Sequence, residues 1–129
     1  MAEIDNSLYL GVGNISMSED LGMYYQDISP AMVHISRGVF AKFDENGIPY
    51  SVHNGKTEYY IVTIIQYGLM CYDLLCKKQD ETKNKESFFA VINWLDAHKE
   101  YLNDAIVWRS NDNIQYNLKK GWISGMYQG

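Results

Sequence analysis

Two cysteines and two prolines in 129 residues are too few for a disulfide framework or a proline-rich segment. Cys71 and Cys76 stand five apart in one apolar run and point in different directions on a helix. They cannot bridge within it and form no CxxC pair, so two reduced thiols are expected. Basic clusters are equally scarce. The net charge is −5, and no run of Lys or Arg exceeds the pairs Lys77-Lys78 and Lys119-Lys120, so the electrostatic footprint of a nucleic-acid partner is missing. The three histidines, His34, His53 and His98, fall in separate segments without HxH or HxxxH spacing, and no metal or other cofactor is predicted. No window reaches the roughly 20 apolar residues of a membrane span. The first residues carry acids where a secretory leader needs positive charge, so the default expectation is a soluble, cytoplasmic chain. Phosphate loops are absent as well, since Gly11-Val12-Gly13 lacks a third glycine and a following helix. The acidic residues are scattered, with no pair set for glycoside hydrolysis.

What is present is apolar and aromatic. With 47% hydrophobic residues, the chain has enough for one compact domain and too little for two. Its longest apolar run, Glu58 to Lys78, predicts a helix buried on most of its circumference. Thr63, Gln66, Asp73 and Lys77, with Met70 between them, recur on it at three- and four-residue steps, as one stripe that could face a cleft or solvent. That pattern suits an inner helix of a helical toroid or a central helix of an ordinary bundle. A polar connector, Gln79 to Lys85, leads into a second, amphipathic helix over Ser87 to Leu102, and the two make an αα-hairpin. Asn46-Gly47 and Asn54-Gly55 are turn signals. Val33 to Phe43 reads as interrupted extended structure. Ala105 to Arg109 and Asn113 to Leu118 read as a β-hairpin around Ser110-Asn111-Asp112. Gly121 to Gly129 looks like the first turn of another helix, which has little stability alone, so the chain is expected to be the front part of a longer domain.

Eleven tyrosines are the unusual count. Tyrosine offers a flat apolar face to a sugar ring and a hydroxyl that can hydrogen-bond or move a proton. The plainer reading is that Tyr59, Tyr60, Tyr67 and Tyr72 fill a core, with their hydroxyls at its edge.

Three stretches, FDENGIPY, EYYIVTIIQYGLMCYD and GWISGMYQG, taken together resemble the C-terminal domain of the D-glucuronyl C5-epimerases, enzymes that modify heparosan. The resemblance runs from about Asp44 to Gly129. It rests on an Asp-x-x-Gly-Ile/Val-Pro turn, a Tyr-Tyr entry into an Ile-x-Gln-Phe/Tyr-Gly-Leu helix, and a Gly-Trp-x-Ser-x-Met-x-Gln-Gly segment. Ile61 and Val62 stand where the family usually has Asn and Pro, and Tyr127 where a small residue is common.

The resemblance implies a mainly α fold: an incomplete α/α toroid over residues 44–129, represented by the αα-hairpin and a small β-hairpin, preceded by an extended segment over 1–43. It implies proton exchange at C5 of glucuronate units in an acidic polysaccharide, with no redox cofactor and with the acid and base beyond residue 129. Gln66, Tyr67, Trp122 and Gln128 are then the expected substrate-positioning residues. Arg37, Lys56, Arg109, Lys119 and Lys120 are the cations available for a basic groove. The alternatives are a non-catalytic carbohydrate-binding module and a homodimer formed through an exposed apolar face.

Overall fold

A computed structural model describes residues 11–12, 17–20, 22, 26–36, 38, 42–110 and 120–123. The elements in chain order are β1 (Gly11–Val12), β2 (Gln26–Asp27), a 3-10 turn (Ser29–Ala31), α1 (Met32–Ser36), β3 (Lys42–Phe43), β4 (Pro49–His53), β5 (Lys56–Glu58), α2 (Ile61–Cys76), α3 (Glu81–His98), β6 (Glu100–Leu102) and β7 (Ala105–Val107). Among the described residues, the strands form three small antiparallel sheets, β1-β2, β3-β4-β5 and β6-β7. The molecule is therefore mixed α and β. This corrects the expectation of a mainly α, incomplete α/α toroid, because short strands flank the helices on both sides in the chain. No helix among the described residues is long and apolar enough to cross a membrane.

Local chemistry explains the departures. Asn54 and Gly55 both take positive φ, 50° and 76°, which is the backbone that a two-residue hairpin turn requires. What reads as a polar connector is thus the tip of the β4-β5 hairpin, with Val52 opposite Thr57 and His53 opposite Lys56. At Ser29, Pro30 occupies the start of the 3-10 turn, where its fixed φ favours helix and its missing N–H costs nothing. The turn runs into α1, so Val33–Ser36 is helical and not extended. Helix α3 begins at Glu81, earlier than its apolar pattern suggests, because its first turn is polar: Glu81, Thr82 and Lys83 are exposed, and Asn84 is buried through a hydrogen bond to Gln79 O and not through apolar packing. It stops at His98, and Glu100–Leu102 pairs with Ala105–Val107 across Asn103-Asp104, with Asn103 at φ 52°. Ala105–Val107 is a strand, but it pairs backwards with this segment. The partner assigned to it by pattern, Asn113 to Leu118, lies outside the described residues.

The core is built on α2. Ile64 and Cys71 have no exposed surface, and they cluster with Ile28, Ala31, Ile35, Ile48, Tyr67, Met70 and Val91. Asp73 is equally buried and accepts a hydrogen bond from the Ile28 backbone N–H at 3.2 Å. The α2 stripe is therefore split: Asp73 faces inward to hold the segment before α1, whereas Gln66 is exposed. Lys77 extends the same attachment by donating to Asp27 and to Ser29 Oγ, the latter at 2.8 Å. Helix α2 ends with Gln79 N–H bonded to Leu74 O and Lys78 N–H to Leu75 O, both at 2.9 Å, the two closing bonds of a Schellman turn. The chain then reverses into α3.

Helices α2 and α3 touch closely at one point. A methyl group added at Gly68 would lie 2.9 Å from Val91 Cγ1, and Val91 is itself buried. Glycine is required here by close approach of the helices and not by its own conformational freedom. Gly68→Ala should lower stability by roughly 1 kcal/mol or more in chemical denaturation. Overpacking costs about 1–3 kcal/mol, of which about 0.5–1 is returned by the better helix propensity of alanine. Val91→Ala should cost less in the Gly68→Ala background than in the wild type, because the two side chains would then compete for one space. A Gly68→Ala variant more stable than wild type would refute the close approach.

Candidate functional site

Between the β5–α2 junction, the C-terminal half of α3 and the segment after β7 lies an open cleft of about 360 Å³. Its wall is aromatic. Tyr59 stacks on Trp94 at 5.7 Å with 29° between ring planes, and Trp94 stacks on His98 at 4.0 Å and 15°. Trp94 and His98 are four apart on α3 and so lie one above the other on the same face. Trp108 lines the cleft as well, and its indole N–H donates to Leu95 O at 2.8 Å. That bond satisfies the one polar atom of a half-buried ring and fixes its orientation.

The position of Tyr59 is set from a distance. Asp44, in the turn between β3 and β4, accepts hydrogen bonds at one carboxylate oxygen from the backbone N–H groups of Asn46 and Ile48, both at 2.9 Å. Its other oxygen accepts from the Tyr59 hydroxyl at 2.8 Å. One side chain thus closes the turn and anchors the first ring of the wall. Burial pushes the Asp44 carboxyl up, but the donors from Ile48, Tyr59 and Asn46 outweigh it and hold it below its ordinary value of 3.8. Burial first, and then the hydrogen bond to Asp44 and its charge, push Tyr59 up to about 12.

The rim of the cleft carries the charged groups, including Glu58, Glu100 and Arg109. Arg109 donates through Nε to Glu100 at 2.8 Å and through Nη1 to Gly121 O at 3.0 Å. Two of its five N–H groups are committed in this way, so the guanidinium is oriented while donors remain. The His98 Nδ1 lies 2.8 Å from Trp94 O. A carbonyl only accepts, so Nδ1 carries the hydrogen and donates it. In chemical terms, the cleft offers an apolar aromatic surface, carboxylates that accept from hydroxyls, an oriented cation and an imidazole held against the ring of Trp94. Among the described residues, no group of three His, Cys, Asp or Glu is disposed to hold a metal ion.

The residues singled out from the sequence do not converge. Gln66 is exposed on α2. Tyr67 is buried and packs on Phe43, with ring centroids 5.0 Å apart, beside a different cavity. Trp122 belongs to the strand-like bridge with Ser110, whose N–H donates to Trp122 O at 2.8 Å. It is next to Gly121, which contributes to the cleft. Gln128 lies outside the described residues. Tyr59, Trp94, His98 and Trp108 were not assigned a site role from sequence. The Trp94–His98 spacing was the available signal, since two aromatic rings four apart on a polar helix exceed what its buried stripe needs.

Comparison with known proteins returns no matching family model, no matching curated protein and no matching solved structure.

The tie between Asp44 and Tyr59 has a definite pH signature. The Asp44 contribution is complete above the unfolded carboxylate value and is lost as pH falls through its lowered folded value. The Tyr59 contribution is complete below 10 and is lost as pH rises towards about 12. In denaturation midpoints measured from pH 2.5 to 11, Asp44→Asn should remove part of the acid limb, and Tyr59→Phe should remove part of the alkaline limb. Near neutral pH each should cost about 1–3 kcal/mol, the usual penalty for breaking a hydrogen bond to a charged group. Superimposable wild-type and Tyr59→Phe profiles would show that the bond contributes nothing.

Proposed function

We propose that the chain handles an acidic polysaccharide, taking a uronate ring against the Tyr59–Trp94–His98 wall, as part of a uronate C5-epimerase-like domain. The observation that carries this reading is the stacked aromatic ladder in an open cleft with an oriented arginine at its edge. Sugar rings present C–H-rich faces that pack on aromatic surfaces, and their hydroxyls pair with carboxylates and backbone groups around the rim. The N–H groups of Arg109 not used by Glu100 and Gly121 suit a sugar carboxylate.

The sequence resemblance supplies the chemistry. The C5 hydrogen of a uronate is weakly acidic because it stands beside a carboxylate, so exchange requires that charge to be neutralised and the enolate-like charge to be stabilised. One group then removes the proton and another returns it to the opposite face. The role assigned to these residues is positioning of the ring. A non-catalytic carbohydrate-binding module is the second reading, favoured by the pairing of Arg109 with Glu100, which leaves the cation only partly free for substrate.

Titration calorimetry with unsulfated heparosan oligosaccharides should show binding that Trp94→Ala weakens about tenfold, a loss of about 1.4 kcal/mol. Deuterium incorporation at C5 in heavy water then separates the readings. Exchange supports the epimerase, binding without exchange supports the module, and no binding by the folded chain refutes both.

A further inference from the structure

We propose that the second cavity, at the N-terminal end of α3, is a binding site for a small single-tailed carboxylate. The proposal stands apart from the glycan reading, because the two spaces share no lining residue. This cavity has a volume of about 430 Å³, within the range of about 300–1,000 Å³ of small-molecule pockets. Its lining is divided. Met32 and Ile35 of α1, Phe43 of β3, and Tyr67 and Leu74 of α2 form an apolar floor, whereas α3 and the residue before it contribute Asp80, Lys83, Asn84 and Ser87.

The polar side is ordered. Asn84 is only 6% exposed and is fixed by donating from Nδ2 to Gln79 O at 2.8 Å. Ser87, half-buried one turn further along α3, lines the cavity together with Tyr67. Lys83 stands on this side without an ion-pair partner among the described residues. It occupies the first turn of an 18-residue helix, where exposed backbone N–H groups add positive potential. An apolar floor that ends at a free ammonium and a helix N-terminus selects an alkyl or aryl body ending in a carboxylate. Asp80 is the acidic residue that lines the cavity, and its charge weakens an anion there; Glu81, also acidic in the first turn of α3, is not among the lining residues. The site is thereby given an internal control, since removal of the two charges must act in opposite directions.

The test uses the whole chain with octanoate as probe and 1-octanol as its uncharged counterpart, followed by calorimetry. Both substitutions are at exposed positions and leave the core intact. Lys83→Met should weaken octanoate about tenfold, the loss of one charge-assisted hydrogen bond, and leave octanol unchanged. Asp80→Asn should strengthen octanoate about two- to fivefold, as expected for removal of a partly screened like charge. Failure of octanoate to bind, or octanoate affinity indifferent to Lys83→Met, would overturn the proposal. Equal effects of Lys83→Met on octanoate and octanol would overturn it too, because the cavity would then be an apolar void with no recognition of the head group.

Discussion

The carboxylate of Asp44 connects parts of the chain that would otherwise be independent. Three donors converge on it: two backbone N–H groups that close the turn into β4, and the hydroxyl of Tyr59 just ahead of α2. A side chain of four heavy atoms therefore fixes how the β3-β4-β5 sheet meets the first turn of the central helix. The consequence extends further, because the Tyr59 ring is also the first member of the aromatic wall. Turn geometry, helix entry and site geometry depend on the same short bonds, each of which is stronger for being charge-assisted.

The helix pair supplies the frame for this connection. Gly68 lets α3 approach α2 until Val91 is in contact, and that approach fixes where both ends of α3 stand. From Asn84 to Trp94 is about 15 Å along the helix axis, at the usual rise per residue. One helix thus contributes polar residues to the second cavity at its start and stacked rings to the aromatic cleft at its end. The segment before α1 is held to α2 by Asp73 and Lys77, so the floor of the second cavity is attached by polar links as well as by packing.

Several of these features were legible in the amino-acid order, and others were not, for physical reasons. An apolar run covering most of a helix can only be buried, so α2 was readable. Asn-Gly pairs demand left-handed backbone, so both turns were readable, although the second joins two strands whose polar, exposed residues carry weak alternation. The mainly α reading fails because most strands span only two or three residues, and the five-residue β4, Pro49–His53, shows no alternation of buried and exposed positions. The hairpin at β6-β7 was mispaired because Ala105–Val107 fits either neighbour by pattern, and only the backbone of Asn103 decides between them. At the site, Tyr67 is expected in the cleft wall from the family resemblance, yet its place on the central helix makes it core. Trp94 and His98 offer only their four-residue spacing as a signal, and on an amphipathic helix such spacing usually marks packing. Which of two faces a ring serves depends on what stands opposite, and the partner here, Tyr59, is 35 residues away in sequence.

The central claim, that the aromatic wall receives a sugar ring, is tested most directly by saturation-transfer difference NMR with an unsulfated heparosan oligosaccharide. Saturation of the protein's aromatic protons should pass to ring C–H protons of one or two sugar residues, and Trp94→Ala should abolish the transfer while the folded spectrum persists. Transfer that survives Trp94→Ala unchanged, or none at all from the folded wild type, would contradict the account.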